Sequence, residues 1–169
     1  DVTLTNGEEL VVDNPSFFPD AGDIESVEEP YIKASIMIPE KFLGAVMELC
    51  REQRGEKTQF DYLAVGRVEV TSEMPLAEVL FDFYDRLKTV TRGYGSFDYD
   101  ALDYRATDIV KVDIMVNKER VDALSQLVHR EKARFRAMHY CEKLSTTIPK
   151  HQFKIPIQGA IGGPIIARK

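Results

Sequence analysis

The residues able to do chemistry are few and scattered. The histidines are His129, His139 and His151, and none lies at metal-ligand spacing from a cysteine or an acid, whereas a structural zinc site wants four ligands. Ser125 precedes His129 by one helical turn, but no acid is placed to orient the imidazole as a triad requires. Asp98 and Asp100 fall on one face of a strand pattern, which without a cleft reads as solvated acids rather than an acid–base pair. Gly159-Ala160-Ile161-Gly162-Gly163 has glycines like those of a dinucleotide loop, without the full spacing and with a strand pattern, not a helix, following it. There is no Walker-type phosphate loop. Cys50 and Cys141 are the only cysteines and lie far apart in helical patterns, so they read as packed free thiols of a reducing compartment rather than a disulfide. The expectation is a non-catalytic chain with no cofactor or metal site of its own.

What is left is binding chemistry. Arg130, Lys132, Arg134 and Arg136 interleave with Phe135 and are flanked by His129 and His139. A basic helix carrying an aromatic suits phosphate contact, and the plainer alternative is a charged face that only solvates the protein. Arg92 and Tyr94 lie in Thr91-Arg92-Gly93-Tyr94-Gly95-Ser96-Phe97, where glycines let backbone approach a partner and the arginine and aromatics can stack on bases. The same stretch also reads as a helix cap and turn. Net charge is −6, but it is unevenly spread. Residues 1–29 hold nine acids and no Lys or Arg; residues 30–105 hold 13 acids and 10 bases; residues 106–169 hold six acids and 12 bases. The basic last third is compatible with an anionic partner.

These groups need elements to hold them. Val2–Thr5, Asn6-Gly7 and Glu8–Val12 predict a hairpin with a type I′ turn, which alone is marginal in water and so reads as the end of a domain lying upstream. Asn14 to Glu29, acidic and carrying Pro15, Pro19 and Gly22, reads as a linker. Tyr31–Ile38 alternates as a strand; Pro39 opens a helix with Phe42, Leu43, Val46, Met47 and Cys50 inward and Gly55 as C-cap. Phe60–Leu63 and Val68–Thr71 read as strands joined at Gly66, Pro75 opens a second helix with a Leu76, Val79, Leu80, Phe83, Leu87 stripe, and Ser96–Tyr99 resumes a strand. The order β-α-β-β-α-β over residues 30–105 predicts a ferredoxin-like α+β module, two helices on an antiparallel sheet. A second small α+β module follows over 106–169: a strand through Val110–Val116, an ambiguous strand or helix over Val121–Val128, a helix on Ala133, Ala137, Cys141, Leu144 and Ile148 ended by Pro149, and strands at Phe153–Ile157 and Pro164–Ile166 around a glycine loop. No apolar run is long enough to span a bilayer, and the Asp1 and Lys169 ends read as cuts in a longer protein.

Several blocks together resemble a known family. Glu29–Lys33, Pro39–Met47 and Gln53-Arg54-Gly55, with Glu73–Glu78 and Arg92–Phe97, are similar to domain V of the translational GTPases, shared by elongation factor G, BipA and LepA. Asp108–Ile114, Val121–Ser125, Val128-His129-Arg130 and Pro156–Gly163 resemble the C-terminal domain particular to LepA, or elongation factor 4; Asp13–Ser16 with Pro19-Asp20 is similar to the end of its domain III and linker. Pro164 stands where the family pattern has Lys, and a basic segment would follow Lys169. The resemblance implies a GTPase whose GTP and Mg are held upstream, working in the cytoplasm with at most peripheral contact to the membrane. It would bind the ribosome, its RNA and proteins, and tRNA, but not DNA, and is proposed to drive back-translocation of tRNAs. Under it, Arg54, Lys57, Arg92 and Tyr94 become ribosome-contact candidates beside His129, Arg130, Lys132, Arg134 and Arg136. The alternatives are another translational GTPase of BipA or elongation factor G type, or a ferredoxin-like domain that binds a small regulator.

Overall fold

The computed structural model describes residues 1–147 and 155–169; Ile148, Pro149, His151, Phe153 and Lys154, named above, lie outside the described residues. In chain order the elements are β1 (Val2–Leu4), β2 (Glu9–Leu10), β3 (Ile24–Pro39), α1 (Leu43–Glu52), β4 (Glu56–Ala64), β5 (Arg67–Pro75), α2 (Leu76–Glu78), a π-turn (Val79–Phe83) running into α3 (Tyr84–Val90), β6 (Ser96–Thr107), β7 (Ile109–Val116), β8 (Glu119–Arg120), β9 (Gln126–His129), α4 (Arg130–Thr147), β10 (Ile157–Ala160) and β11 (Ile165–Arg168). They form two compact units, residues 29–105 and residues 1–28 together with 106–169.

In the unit of residues 29–105 the strands lie in the order β6-β3-β5-β4, the ferredoxin-like order in which the first and third strands of the module pair at the centre. Alternation on the two central strands aims Ile32, Ala34, Ile36 and Ile38 of β3 and Val68, Val70 and Met74 of β5 at one face. There they meet Val46, Leu49 and Cys50 of α1 and Val79, Phe83 and Leu87 of the second helical segment. Each buried Ile, Val, Leu, Met or Phe among them contributes about 1.5–3 kcal/mol. The predicted stripe of the second helix is corrected at one position: Leu80 is 71% exposed. The five-residue turn Val79–Phe83 widens the helix there, so Val79, Phe83 and Leu87 hold the inward face and Leu80 rotates out.

Both helices of this unit end in a Schellman motif. At the first, Gly55 N–H donates to Cys50 O at 2.8 Å and Arg54 N–H to Arg51 O at 3.2 Å. Arg54, not Gly55, therefore takes the left-handed position, at φ 59°. Gly55 is needed for another reason: a Cβ there would lie 2.6 Å from Cys50 O and 2.5 Å from Ser72 Oγ. At the second, Gly93 N–H donates to Lys88 O at 2.8 Å and Arg92 N–H to Thr89 O at 3.3 Å, with Arg92 at φ 51°.

In the other unit β7 is central. β10 and then β11 lie on one side, and β8 and β9 follow one another on the other. The ambiguous segment Val121–Val128 resolves into a short 3-10 turn (Asp122–Leu124) and a strand that pairs Ile109–Val112 with Gln126–His129. Val110, Val112 and Ile114 face α4, whose Ala133, Ala137 and Cys141 complete the core with Val128, Ile157 and Ala167. Gly159 belongs to β10 rather than to a loop, and a Cβ on it would sit 3.0 Å from the Ala137 methyl, so helix and sheet approach closely where both residues are small. The turn that follows is carried by Gly162 at φ 64° and Gly163 at φ 138°.

The amino-terminal hairpin is also part of this unit. β1 pairs with β2 and, on its other edge, with the start of β3 (Val2↔Val27, Thr3↔Ser26). The stretch read as a linker thus holds 3-10 turns at Pro15–Phe17 and Ala21–Asp23 and then enters a strand at Ile24. The hairpin turn is not type I′. Gly7 alone takes positive φ (89°), Gly7 N–H donates to Leu4 O at 2.9 Å, and Asn6 Oδ1 accepts from Glu8 N–H at 2.9 Å. One left-handed glycine after an ordinary turn closes the hairpin, so Asn6 needs no left-handed backbone.

Candidate functional site

The four alternating basic residues do not form one face. Residues two apart on an α-helix are about 200° apart round its axis, whereas residues four apart are neighbours. Arg130 and Arg134 accordingly share one flank of α4, and Lys132 and Arg136 the other, with buried Ala133 and Ala137 between them. Arg130 is exposed and held at the helix start by Asp108, Nε to Oδ2 at 2.8 Å. Arg134 is exposed and, among the described residues, in no ion pair. With Arg130 and the apolar Ile161, Ile165 and Ile166 it lines an open groove of about 410 Å³. Lys132 and Arg136 are half-buried, and both carry interactions within the chain. On the outer face Phe135 is 67% exposed, beside exposed Met138. His129 ends β9, its Nδ1 accepting from Glu131 N–H at 3.3 Å; His139 is exposed and also engaged.

The candidates in the ferredoxin-like unit divide differently. The Arg54 guanidinium is enclosed, Nη1 to Glu29 Oε1 at 2.6 Å and Nε to Glu78 Oε1 at 3.1 Å, with its side chain 14% exposed. Burial opposes its charge, but hydrogen bonding and the charges of Glu29 and then Glu78 hold its pKa above the ordinary arginine value. The guanidinium is thus tied into the end of α1, the start of the module and α2 rather than free at the surface. Lys57 is exposed, at φ 49° in the irregular start of β4, with Nζ 3.5 Å from Glu73 Oε2. Arg92 and Tyr94 project at the second helix end, Tyr94 66% exposed. Behind them Thr91 Oγ1 accepts from Gly95 N–H at 3.0 Å and donates to Leu87 O at 2.7 Å, which fixes the loop. Cys50, on the buried face of α1, has its thiol pushed up to about 11 by desolvation.

Sequence reasoning missed one group. On the face of β7 turned away from α4, Asp113 is 6% exposed. Its Oδ1 has no hydrogen-bond partner among the described residues; Lys111 Nζ stands 3.7 Å off and Arg120 Nη2 is 3.6 Å from Oδ2. Asp113 is among the residues lining a cavity of about 550 Å³ that also touches Phe18, Ile24 and Ile161, although Oδ1 itself has no exposed surface. The signal was the alternation of β7 itself, whose odd positions 109, 111 and 113 cannot face the helix that the even ones face.

The ferredoxin-like module lies within residues 26–114, which match the family described as Elongation factor G C-terminus. Residues 116–169 match the one described as GTP-binding protein LepA C-terminus. A protein named Elongation factor 4 2 from Rhodopirellula baltica is 66% identical over 167 residues, 99% of this chain and 28% of that protein. Elongation factor 4 of Desulfotalea psychrophila is 61% identical over 166 residues, 98% of this chain and 28% of its own length. Elongation factor 4 of Bacillus cytotoxicus is 53% identical over 167 residues, again 28% of its length. The chain belongs to the elongation factor 4, or LepA, family, and corresponds to a C-terminal part of its members. Among the described residues no helix is long and apolar enough to cross a membrane.

Proposed function

We propose that this chain is the ribosome- and tRNA-binding part of a translational GTPase that works in the cytoplasm and promotes back-translocation of tRNAs, with GTP and Mg handled by an upstream domain. Its mechanism is binding rather than bond-making. The observation that carries the reading is the groove along α4, where Arg130 and Arg134, the latter in no ion pair among the described residues, stand beside isoleucines in a region with twice as many bases as acids. Such a flank gives phosphates two cations and gives riboses or bases an apolar floor. Lys132, Arg136 and His129 act as a second, weaker flank. Lys57, Arg92 and Tyr94 are the contacts of the ferredoxin-like unit, Tyr94 by stacking. Arg54 is not among them, because its charge is spent on Glu29 and Glu78.

The test is co-sedimentation with bacterial ribosomes across a salt series. The Arg130/Arg134→Ala chain is compared with Lys132/Arg136→Ala and with the quadruple variant. The expected result is loss of pelleting at low salt for Arg130/Arg134→Ala, with the slope of log affinity against log salt falling by roughly 0.7–0.9 for each phosphate contact removed. Equal binding by the quadruple variant and the parent chain would refute the assignment of α4 to RNA.

A further inference from the structure

The outer edge of the ferredoxin-like sheet is open. Among the described residues β4 pairs only with β5, so its other edge presents free backbone N–H and C=O groups. Proteins guard such edges with lysines, prolines or bulges. In β4 the register is irregular between Glu56 and Gln59 and again between Tyr62 and Ala64. The stretch Gln59–Tyr62 between these breaks is regular and holds neither lysine nor proline. An unguarded edge of this kind is where an extended segment adds as a further strand.

The side chains of that stretch define what the added strand carries. Phe60 and Tyr62 lie opposite Val70 and Val68, on the helix side of the sheet, with their rings edge to face and 6.0 Å apart. They are nevertheless 43% and 61% exposed, an aromatic pair with no cover. On the other side of the sheet Asp61 lies opposite Glu69. Like charges directly across a ladder destabilise it. The sheet has such a pair twice. Glu56 and Glu73 also stand opposite one another, and Arg105 bridges them, Nη1 to Glu56 Oε2 at 2.8 Å and Nη2 to Glu73 Oε2 at 3.1 Å. Asp61 and Glu69 have no such bridge. Among the described residues neither carboxylate is in a hydrogen bond or ion pair, and exposed Arg67, two residues from Glu69, pairs with neither. An arginine from outside would do at Asp61 and Glu69 what Arg105 does at Glu56 and Glu73. A second copy of the chain does not supply it: two β4 strands paired antiparallel about a two-fold axis bring two acidic pairs together and no cation. An RNA strand fits no better, since these acids repel its phosphates.

We propose that the free edge of β4 docks an extended segment of a partner protein whose side chains alternate, with arginine over Asp61 and Glu69 on one face and apolar residues against Phe60 and Tyr62 on the other. Ladder hydrogen bonds to Gln59–Tyr62 hold the segment, and the alternation of its side chains selects it. The edge belongs to the ferredoxin-like unit and the α4 groove to the other unit, so this reading and the RNA reading can fail separately.

The test is amide NMR of the isotope-labelled chain titrated with three probes: the acetylated and amidated peptide Val-Arg-Val-Arg-Val, its counterpart with glutamates for arginines, and the arginine peptide N-methylated at every residue, which cannot donate to a ladder. The arginine peptide is expected to give saturable shifts centred on Gln59–Tyr62, and the other two none over the same range. Asp61→Asn should weaken it by up to about fivefold, the size of one cross-strand ion pair. Asp61→Lys/Glu69→Lys should transfer binding to the glutamate peptide. Asp61 is exposed and Glu69 half-buried, so neither change opens the core. Absence of saturable shifts at Gln59–Tyr62 up to ~10 mM arginine peptide, an affinity too weak to count as a site, would overturn the proposal. Equal binding by the glutamate or the N-methylated peptide would do the same. Shifts of these amides by oligouridylate would make the edge an RNA contact, and their broadening with rising concentration of the chain alone would make it an interface between copies; either result would replace the proposal.

Discussion

Replacing Arg54 by Met separates a structural arginine from an RNA contact. The change keeps much of the side chain's length and removes its charge, leaving Glu29 and Glu78, both buried, without the guanidinium they share. Breaking a buried ion pair from one side costs about 3–5 kcal/mol, because the charge left behind keeps its desolvation penalty. Here one cation serves two carboxylates, so the upper half of that range is expected. The measurement is urea unfolding of the chain followed by far-ultraviolet circular dichroism, beside the triple variant Glu29→Gln/Arg54→Met/Glu78→Gln. The triple variant should recover most of the loss, since neutral amides have far less to lose by burial. Arg51→Met, which breaks the exposed pair with Glu48, serves as control and should leave the unfolding midpoint unmoved. A loss under about 1 kcal/mol for Arg54→Met, or a triple variant no better than the single one, would refute the argument that this cluster stabilises the module through its charges. Ribosome binding by Arg54→Met that falls further than its unfolded fraction would return Arg54 to the list of contacts.

Arg92→Gly relieves a left-handed backbone at φ 51° and should raise stability by roughly 1 kcal/mol while weakening ribosome pelleting, two opposite readouts that a purely structural arginine would not give together. Gly55→Ala should destabilise by about 1–3 kcal/mol in denaturant melts, because its Cβ meets the backbone oxygen of Cys50 at 2.6 Å. Cys50 links stability to alkaline pH. Its folded pKa, raised from 9.0 to about 11, keeps the thiol neutral in the fold while the unfolded chain ionises, so its contribution is whole below pH 9 and is lost as pH rises toward 11. The loss should run at roughly 1.4 kcal/mol per pH unit in that window and be absent from Cys50→Ala, measured by urea titrations at several alkaline pH values.

The resemblance to this family was readable in blocks of residues, and so was the ferredoxin-like module, because period-2 and period-3.6 apolar patterns are local properties of a chain. Ile32, Ala34, Ile36 and Ile38 announce their strand, and the stepping of Ala133, Ala137 and Cys141 announces their helix. Charge also travels with sequence, so the basic character of residues 106–169 needed no coordinates. What a side chain's charge is used for did not. Arg54 and Arg92 look alike, each opening an Arg-Gly pair at a helix end, yet one is enclosed by two acids that come from elsewhere in the chain and the other projects into solvent. Leu80 fits the apolar stripe on paper, and only a widened helical turn moves it outward. Asp113 reads as one more strand acid until the segment of residues 18–27, taken for a linker, comes to lie across from it. The sequence by itself determined most of the elements and the family they belong to, since both rest on short-range pattern; the strand start at Ile24 and the strand Gln126–His129 came only with the pairing partners the fold supplies. The tertiary structure alone decided which charges are free, which are paired and where a cavity opens, because those depend on partners far apart in the chain that meet only in the packed fold.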